Sequence, residues 1–377
     1  MPGCWADNAI RYRGVKSELI ICMKKQMLVP GPCRGTKDSI PQFPGHEWIQ
    51  QLPDKKIYFA LFQGWNNQDL PQGHDYYIVS FHLEAVNIDW LKRQQVTGPI
   101  VVLFDGQDYD LKIPGVYFVP FYYWHYQLDT MIEWFGIQEK STPKYKFSAV
   151  CNRITQSKLW IITKLLLEAR QSSLVVLNTW LDEKNVHHWQ LTGNATLDHL
   201  TEIFKKNYLY QEIKIDLFDN STQNVQCITG TPWQPLYQDC AIHFTNESFH
   251  YSLMSTAEEN FIWPGPFLTE KTLKCLLGGT AFVPVGQFGT YRALENLGFN
   301  FDYGFDTAWD SDPGNLSRAL SVIKLIEYLN QFEIAELDNM TKQCNIFNQA
   351  HIISGEFFSR CHNMNQQSIE QIYKILI

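Results

Sequence analysis

The stretch FLTEKTLKCLLGGTAFVPVG, residues 267–286, carries the strongest indication of the fold in this chain. Thr269 is a favourable helix N-cap, and Glu270 in the first turn suits the positive end of a helix dipole. Three leucines then recur at helical spacing, and the glycine pair at 278–279 predicts a left-handed helix end. The apolar run at 280–285 predicts a buried β-strand. A helix, a short turn and a buried strand together form half of a parallel α/β unit.

Two charged residues, Glu270 and Lys271, stand side by side at the start of this predicted helix. Parallel α/β folds bind ligands where loops leave the carboxyl ends of strands, and the loop from Gly286 to Gly289 leaves the predicted strand there. A carboxylate suits ribose hydroxyls, and an ammonium group suits a phosphate. The alternative is a capped core helix with two solvated charges, and spacing alone does not separate the two.

The size and composition of the chain indicate a folded, soluble protein. It has 377 residues, of which 45% are hydrophobic and 19% charged, and its formal net charge is −8. This length accommodates two domains comfortably. A protein held mainly by nucleic-acid phosphates usually carries a basic excess, so the charge disfavours DNA or RNA as the principal partner.

The nine cysteines are scattered through the chain, without a CxxC pair or a Cys/His cluster. Neither a zinc site nor a disulfide framework is therefore supported, and a reducing compartment fits best. No run approaches the roughly 20 apolar residues of a membrane span, and no apolar segment near the N-terminus is long enough for a signal peptide. We therefore expect a cytoplasmic protein without a membrane partner.

The first part of the chain divides into an irregular segment and a regular one. Residues 1–54 are interrupted by prolines, and we expect an N-terminal elaboration packed on the domain that follows. Residues 55–140 alternate apolar runs with short helical segments, which predicts a parallel sheet. The predicted strands lie at 57–62, 76–82, 99–104 and 116–119. The polar segment 138–144 is the best candidate for a linker.

A second α/β unit is predicted for residues 145–330. Its strands lie at 146–150, 174–178, 240–244 and 280–285, and a strongly amphipathic helix lies at 156–170. A further helix is predicted near 197–206 and another at 317–331. The tail at 331–377 is predicted to be helical.

Candidate ligand-binding residues follow the predicted strands of this second unit. Asn152 and Arg153 come directly after the strand at 146–150, and Lys158 enters the next helix. A helix start with two cations can hold a diphosphate, although ordinary solvated loop charges are the alternative. Glu247 follows the strand at 240–244, so its carboxylate and that of Glu270 are expected at one edge of one sheet. There they could hold ribose hydroxyls or face a sugar that develops positive charge, or be two surface acids.

The first unit offers a candidate base and a candidate cation site. His82 and Glu84 end the second predicted strand, where a histidine could activate an acceptor hydroxyl. A histidine without chemistry is the alternative. The three acids in DGQDYD, residues 105–110, could bind a divalent cation, or form a polar turn after a strand. No P-loop, G-x-S-x-G or H-E-x-x-H motif occurs, so no sequence motif supports a hydrolase or a zincin function.

The pattern FLTEKTLK…LLGGT…FVPVG resembles the donor-site signature of GT-B glycosyltransferases. It is similar to the Thr-Glu-Lys stretch of alpha-(1,3)-fucosyltransferases, and closer still to glycosyltransferase-like proteins of phages and large viruses. In that last group the strand is followed by a Leu-Gly-Phe turn and an acidic segment, here residues 297–299 and 302–312, with Arg318 on the next helix. The upstream pair Asn152 and Arg153, with Lys158, also matches.

The resemblance implies two Rossmann-like domains facing a cleft, with residues 55–140 binding the acceptor and residues 145–330 the nucleotide-sugar. Carried over, Arg153 and Lys271 contact the diphosphate, and Glu270 contacts the ribose or the sugar. The matched donor-site positions also include Asn152, Lys158, Thr269, Gly286 and Gly289. Glu247 matches an acidic position that follows the preceding strand, and together with His82 and Glu84 it makes up the candidate catalytic set.

The expected function is that of a metal-independent transferase that moves a sugar from a UDP- or GDP-sugar to an acceptor hydroxyl. A phage origin implies DNA modification at hydroxymethylated pyrimidines in the host cytoplasm, whereas a glycan, a protein or a small molecule remains an alternative acceptor. Two other functions remain open: a non-catalytic nucleotide- or glycan-binding protein on the same scaffold, and a metal-dependent GT-A-type transferase that uses Asp108 and Asp110.

Overall fold

The structure is a computed structural model, and it describes most of the second half of the chain and parts of the first. The described residues are 34–36, 48–49, 52, 56–61, 69–81, 86–104, 111–122, 128–129, 131–132, 136–137, 140–151, 155–177, 191–208, 234–246, 253–255, 260–262, 266, 268 and 270–376.

Strands and helices alternate along the chain, as the sequence predicts for an α/β protein. The strands are β1 (Arg34–Thr36), β2 (Ile57–Leu61), β3 (Tyr76–Ser80), β4 (Val86–Asn87), β5 (Ile100–Phe104), β6 (Val116–Pro120), β7 (Tyr145–Cys151), β8 (Ser173–Leu177), β9 (Cys240–Asn246), β10 (Leu253–Ser255), β11 (Asn260–Ile262) and β12 (Ala281–Val285). The helices are α1 (Ile88–Arg93), α2 (Gln156–Glu168), α3 (Ala195–Asn207), α4 (Gln234–Tyr237), α5 (Glu270–Gly278), α6 (Thr290–Asn296), α7 (Asn315–Leu329), α8 (Ile334–Ile353) and α9 (Glu356–Leu376).

The first sheet has the strand order β1-β2-β3-β5-β6. β2, β3, β5 and β6 run parallel, and all five residues of β5 are buried, which is typical of a strand covered on both faces. The parallel sheet predicted for this unit is thereby confirmed. β1 differs, because it pairs antiparallel with β2. It lies within residues 1–54, which the sequence predicts to be irregular.

The second sheet has the order β12-β9-β7-β8, and all of its pairs are parallel. From β7 the chain passes through α2 to β8 on one side, then returns to β9 on the other side and continues through α5 to β12. Because parallel crossovers are right-handed, two crossovers in opposite directions place α2 and α5 on opposite faces of the sheet. The contacts agree, since α2 packs with α3 and α7, whereas α5 packs with α4 and α8.

A third, small sheet joins distant parts of the chain in the order β10-β11-β4. β11 pairs antiparallel with β4, so that Phe261 lies opposite Asn87 and Ile262 opposite Val86. The sequence does not predict this sheet, because a two-residue strand and a three-residue strand carry no readable periodicity.

The tail is helical, as predicted, and it forms two long helices, α8 and α9. The capping box of Glu333 and Glu336 begins α8. α9 contributes Phe357 and Cys361 to the core around the second sheet, and Ile369, Ile372 and Leu376 to the core around the first sheet. The fold is therefore an α/β arrangement with two parallel sheets whose cores share one terminal helix.

Two further properties are observed only within the described residues. Five cysteines lie there, all of them buried and none in a disulfide bond: Cys151, Cys240, Cys275, Cys344 and Cys361. In the same part of the chain, each helix is too short or too polar to cross a membrane.

Candidate functional site at the carboxyl edge of the second sheet

The second sheet has a topological switch point between β7 and β9, where the direction of the strand order reverses. Open α/β sheets bind ligands in the crevice that forms outside the strands' carboxyl ends at such a point. Here β7 and β9 pair as far as Ala149 and Phe244. Beyond that pair β7 keeps pairing with β8 up to Cys151, and β9 with β12 up to Asn246. The two central strands therefore separate at their carboxyl ends.

Helix α2 starts at this edge, on one face of the sheet. Within the described part of the chain, its N-cap residue Thr155 makes no capping hydrogen bond from its side chain, and its hydroxyl lies 3.2 Å from that of Ser157. Ser157 and Lys158 in the first turn are both buried. A helix start presents backbone N–H groups and a partial positive charge, which suit an anion.

Helix α5 starts at the same edge on the opposite face, and it carries Lys271 in its first turn and Lys274 one turn later. Lys271 is half-buried, whereas Lys274 is buried, with its ammonium group 5.6 Å from the centre of the Tyr237 ring. The positive charge of both lysines reaches His243 in β9. Burial first, and then these two charges, lower the pKa of His243 to about 3.

His243 belongs to the core rather than to the crevice. It is fully buried, its Nδ1 lies 2.7 Å from the hydroxyl of Ser148, and its ring packs 4.6 Å from that of Tyr237. The Ser148 hydroxyl in turn donates to the carbonyl of Leu236. This enclosed serine–histidine pair joins β7 to β9 and α4.

The loop that follows β12, from Gly286 to Gly289, is fixed by its neighbours. Arg318 of α7 is buried and donates to the carbonyls of Gly286 and Asp312, at 2.9 and 2.8 Å. Gly289 has φ of +78° and donates its N–H to the carbonyl of Asp310 at 2.7 Å. This loop is therefore held against the acidic segment that precedes α7.

The carboxylate of Asp310 occupies the start of α6. Its Oδ2 accepts from the backbone N–H of Tyr291 at 2.8 Å, and its Oδ1 has no hydrogen-bond partner among the described residues. Burial raises the pKa of this carboxyl to about 7, against the lowering effect of the backbone N–H groups and of Arg318. The hydrogen-bond acceptor at this helix start is thus supplied by the protein itself.

Asn246 ends β9 at the switch point, and its side chain spans the gap between the separating strands. Its Nδ2 donates to the carbonyl of Val150 in β7 at 3.1 Å. Its Oδ1 is buried and has no hydrogen-bond partner among the residues that the structure describes. The sequence does not single out Asn246, since it follows the polar Thr245 in the run CAIHFTN at residues 240–246. The signal that was available is its position at the end of a predicted strand in a parallel sheet.

The predicted site residues fall into two groups. His82, Glu84, Asn152, Arg153, Glu247 and Thr269 lie outside the described residues, as do Asp105, Asp108 and Asp110. Lys158, the backbone of Glu270, Lys271, Gly286 and Gly289 lie inside them, and the parallel topology brings all five to the carboxyl edge of one sheet.

Comparison with known proteins gives no match to a family model, to a curated protein or to a solved structure. The described residues contain no group of three or more histidines, cysteines or acids placed to hold a metal ion. The site must therefore be interpreted from its own geometry. Two helices start at the edge where β7 and β9 stop pairing, and each carries a lysine in its first turn, which is an arrangement suited to a phosphorylated ligand.

Proposed function

We propose that this protein is a glycosyltransferase of the GT-B type, with two Rossmann-like domains, that transfers a sugar from a nucleotide-sugar to an acceptor hydroxyl. The observation that carries the proposal is the topological switch point between β7 and β9, with α2 and α5 starting at that edge on opposite faces of the sheet. The resemblance of residues 267–286 to the donor-site signature of such enzymes supports the same assignment.

The donor diphosphate is proposed to lie between the two helix starts. Lys271 on α5 would bind it electrostatically, and the first turn of α2 would add its N–H groups and the charge of Lys158. Arg153 and Asn152 follow β7 in the sequence, and in this proposal they complete the diphosphate site. The two lysines and Arg153 would also stabilise the negative charge that builds on the leaving diphosphate during transfer.

The acceptor is proposed to enter from the side of the first sheet, where His82 or Glu84 would take the proton of the attacking hydroxyl. Glu247 would face the sugar as it develops positive charge. A hydroxymethylated pyrimidine in phage DNA is the first acceptor to test, because the resemblance includes phage proteins.

The test of this function is a thermal-shift screen of the whole protein against UDP-, GDP- and ADP-sugars, with and without manganese. At least one nucleotide-sugar should raise the melting temperature, since a ligand that binds only the folded state stabilises it. Lys271→Ala should weaken binding of that ligand at least about tenfold, because a charge-assisted contact to phosphate is lost.

The matched control is Lys324→Ala, which removes the same charge from an exposed position in the third turn of α7. It should leave binding unchanged. If no nucleotide-sugar raises the melting temperature, the proposal is wrong. If nucleotide-sugars bind but no transfer or donor hydrolysis occurs with modified DNA, glycans or small alcohols, the protein is a binding protein, and activity that requires manganese would indicate a metal-dependent transferase instead.

A further inference from the structure

Asn246 has a hydrogen-bonding capacity that the fold uses only in part. An asparagine amide has two N–H donors and a carbonyl oxygen that accepts. The bond to Val150 fixes the orientation of this amide, because a backbone carbonyl can accept only from Nδ2. The remaining carbonyl oxygen, Oδ1, is the buried atom without a partner among the described residues.

The cost of this arrangement is considerable, since Asn246 is only 1% exposed. A buried polar atom without a hydrogen bond destabilises the folded state, and native proteins retain few of them. A hydrophobic side chain such as leucine would remove this unpaired oxygen, but it would also remove the donor to the carbonyl of Val150. The free acceptor is therefore explained best by a donor that arrives with a ligand.

The position of Asn246 agrees with this explanation. His243 faces Tyr237 of α4, so alternation along β9 places Asn246 on the opposite face, which α2 covers. It stands where β7 and β9 have already separated, and α2 starts at that same edge. A ligand with its diphosphate on the α2 start would carry its hydroxyl groups within the crevice.

We propose that Asn246 is a positioning residue of the nucleotide-sugar site, whose Oδ1 accepts a hydrogen bond from a hydroxyl group of the ligand. This inference rests on the proposed function, and it adds a residue that distinguishes hydroxylated from deoxygenated ligands. The hydroxyl comes from the ribose or from the transferred sugar, and both sources present the same donor.

The experiment measures dissociation constants of the whole protein by calorimetry. The ligands are UDP, GDP and ADP, each as the free diphosphate and as its glucose conjugate, and then the 2′-deoxy form of the one that binds most tightly. The proteins are the wild type and Asn246→Leu, with Asn246→Ala as the second variant should the leucine variant not fold.

The matched control is Thr245→Val. Thr245 precedes Asn246 on β9, and its hydroxyl donates to the carbonyl of Val283 at 3.3 Å. Both substitutions remove one buried bond from a side chain to a backbone carbonyl. Thr245, unlike Asn246, has no buried side-chain atom that lacks a partner among the described residues, so Thr245→Val should bind every ligand within about twofold of the wild type.

The expected result is a loss of about tenfold in affinity for Asn246→Leu. If the ribose supplies the hydroxyl, the free diphosphate shows this loss. If the donor is the 2′-hydroxyl, the 2′-deoxy ligand binds the two proteins equally, and if it is the 3′-hydroxyl, the 2′-deoxy ligand shows the same loss. If the transferred sugar supplies it, only the glucose conjugate shows the loss. Equal binding of all ligands by wild type and variant would overturn the inference while leaving the proposed function intact. Absence of nucleotide binding by the wild type would overturn both.

Discussion

Asp310 shows how a single buried acid can make the stability of this protein depend on pH. Its side chain is 3% exposed, caps the backbone of Tyr291 and lies near Arg318, yet burial outweighs these partners and raises its pKa from 3.8 to about 7. The folded state therefore binds a proton more tightly than the unfolded state does. The resulting stabilisation is complete below pH 3.8 and is lost as the pH rises towards 7.

We expect Asp310→Asn to remove this dependence, because an amide keeps the acceptor for the N–H of Tyr291 and cannot ionise. As the pH rises from 5 to 8, the free energy of unfolding of the wild type should fall by on the order of 2 kcal/mol relative to that of the variant. Urea unfolding of both proteins at the two pH values measures this.

The control for this prediction is Asp312→Asn, two residues further along. Asp312 accepts from the N–H of Gly314 at 2.7 Å, and hydrogen bonds lower its pKa below 3.8. It stays ionised at both pH values in either state, so the effect of its substitution should be the same at pH 5 and pH 8. Equal differences at the two pH values for Asp310→Asn would contradict the raised pKa.

At the scale of the element, the end of α5 shows why two adjacent glycines are needed for different reasons. Gly279 has φ of +64° and forms the left-handed helix end that the sequence predicts. The N–H of Gly279 donates to the carbonyl of Leu276, and the N–H of Thr280 donates to the carbonyl of Cys275. Gly278 is the last helical residue, and a Cβ at that position would lie 2.7 Å from the carbonyl oxygen of Tyr237. One glycine serves the turn, and the other allows α4 to approach α5.

We therefore predict that Gly278→Ala destabilises the protein by about 1–3 kcal/mol, the range of an overpacked core. Helix propensity alone predicts the opposite sign, a gain of up to about 1 kcal/mol. Gly193→Ala is the control, since Gly193 has φ of +76° and open space around its Cβ position. The free energy of unfolding of Gly193→Ala should fall by only roughly 1 kcal/mol, which is the cost of a left-handed conformation for a residue with a Cβ. An increase in the melting temperature of Gly278→Ala would show that α4 can yield.

Several elements and contacts show which parts of this structure can be predicted from the sequence. The apolar strands and α5 follow from local patterns, since IVVLF at residues 100–104 and the leucines before Gly278 report burial directly. The pairing of Ile262 with Val86 does not, because the two residues lie far apart in the sequence, separated by nearly half of the chain. Lysines are usually exposed, yet Lys158, Lys164 and Lys274 are buried, and nothing in the local sequence indicates this. Lys271 and Gly286 could be assigned to the sheet edge from the order of the predicted elements along the chain. That Oδ1 of Asn246 has no partner among the described residues could be found only from the coordinates.

At the scale of the whole molecule, α9 connects the two cores. Its first half buries Phe357 in the core around the second sheet, and its second half buries Ile372 in the core around the first. Between them Asn365 forms a pair of hydrogen bonds with the backbone of Tyr122, which follows β6: the N–H of Tyr122 donates to Oδ1 at 2.8 Å, and Nδ2 donates to the carbonyl at 3.0 Å. Helix α9 therefore packs into the hydrophobic cores of both sheets.

This arrangement predicts that substitutions at the two ends of α9 loosen different sheets. Ile372→Ala should lower the free energy of unfolding by about 2–5 kcal/mol and speed hydrogen exchange in β3, β5 and β6, since a cavity forms in their core. Phe357→Ala should cost a similar amount and speed exchange around Phe299, whose ring lies 5.3 Å from that of Phe357, and in α8, which packs against α9. Hydrogen exchange followed by mass spectrometry measures both patterns, with each variant serving as the control for the other. If both substitutions instead loosened only α9 itself, the helix would be an accessory tail, and the two cores would not share it.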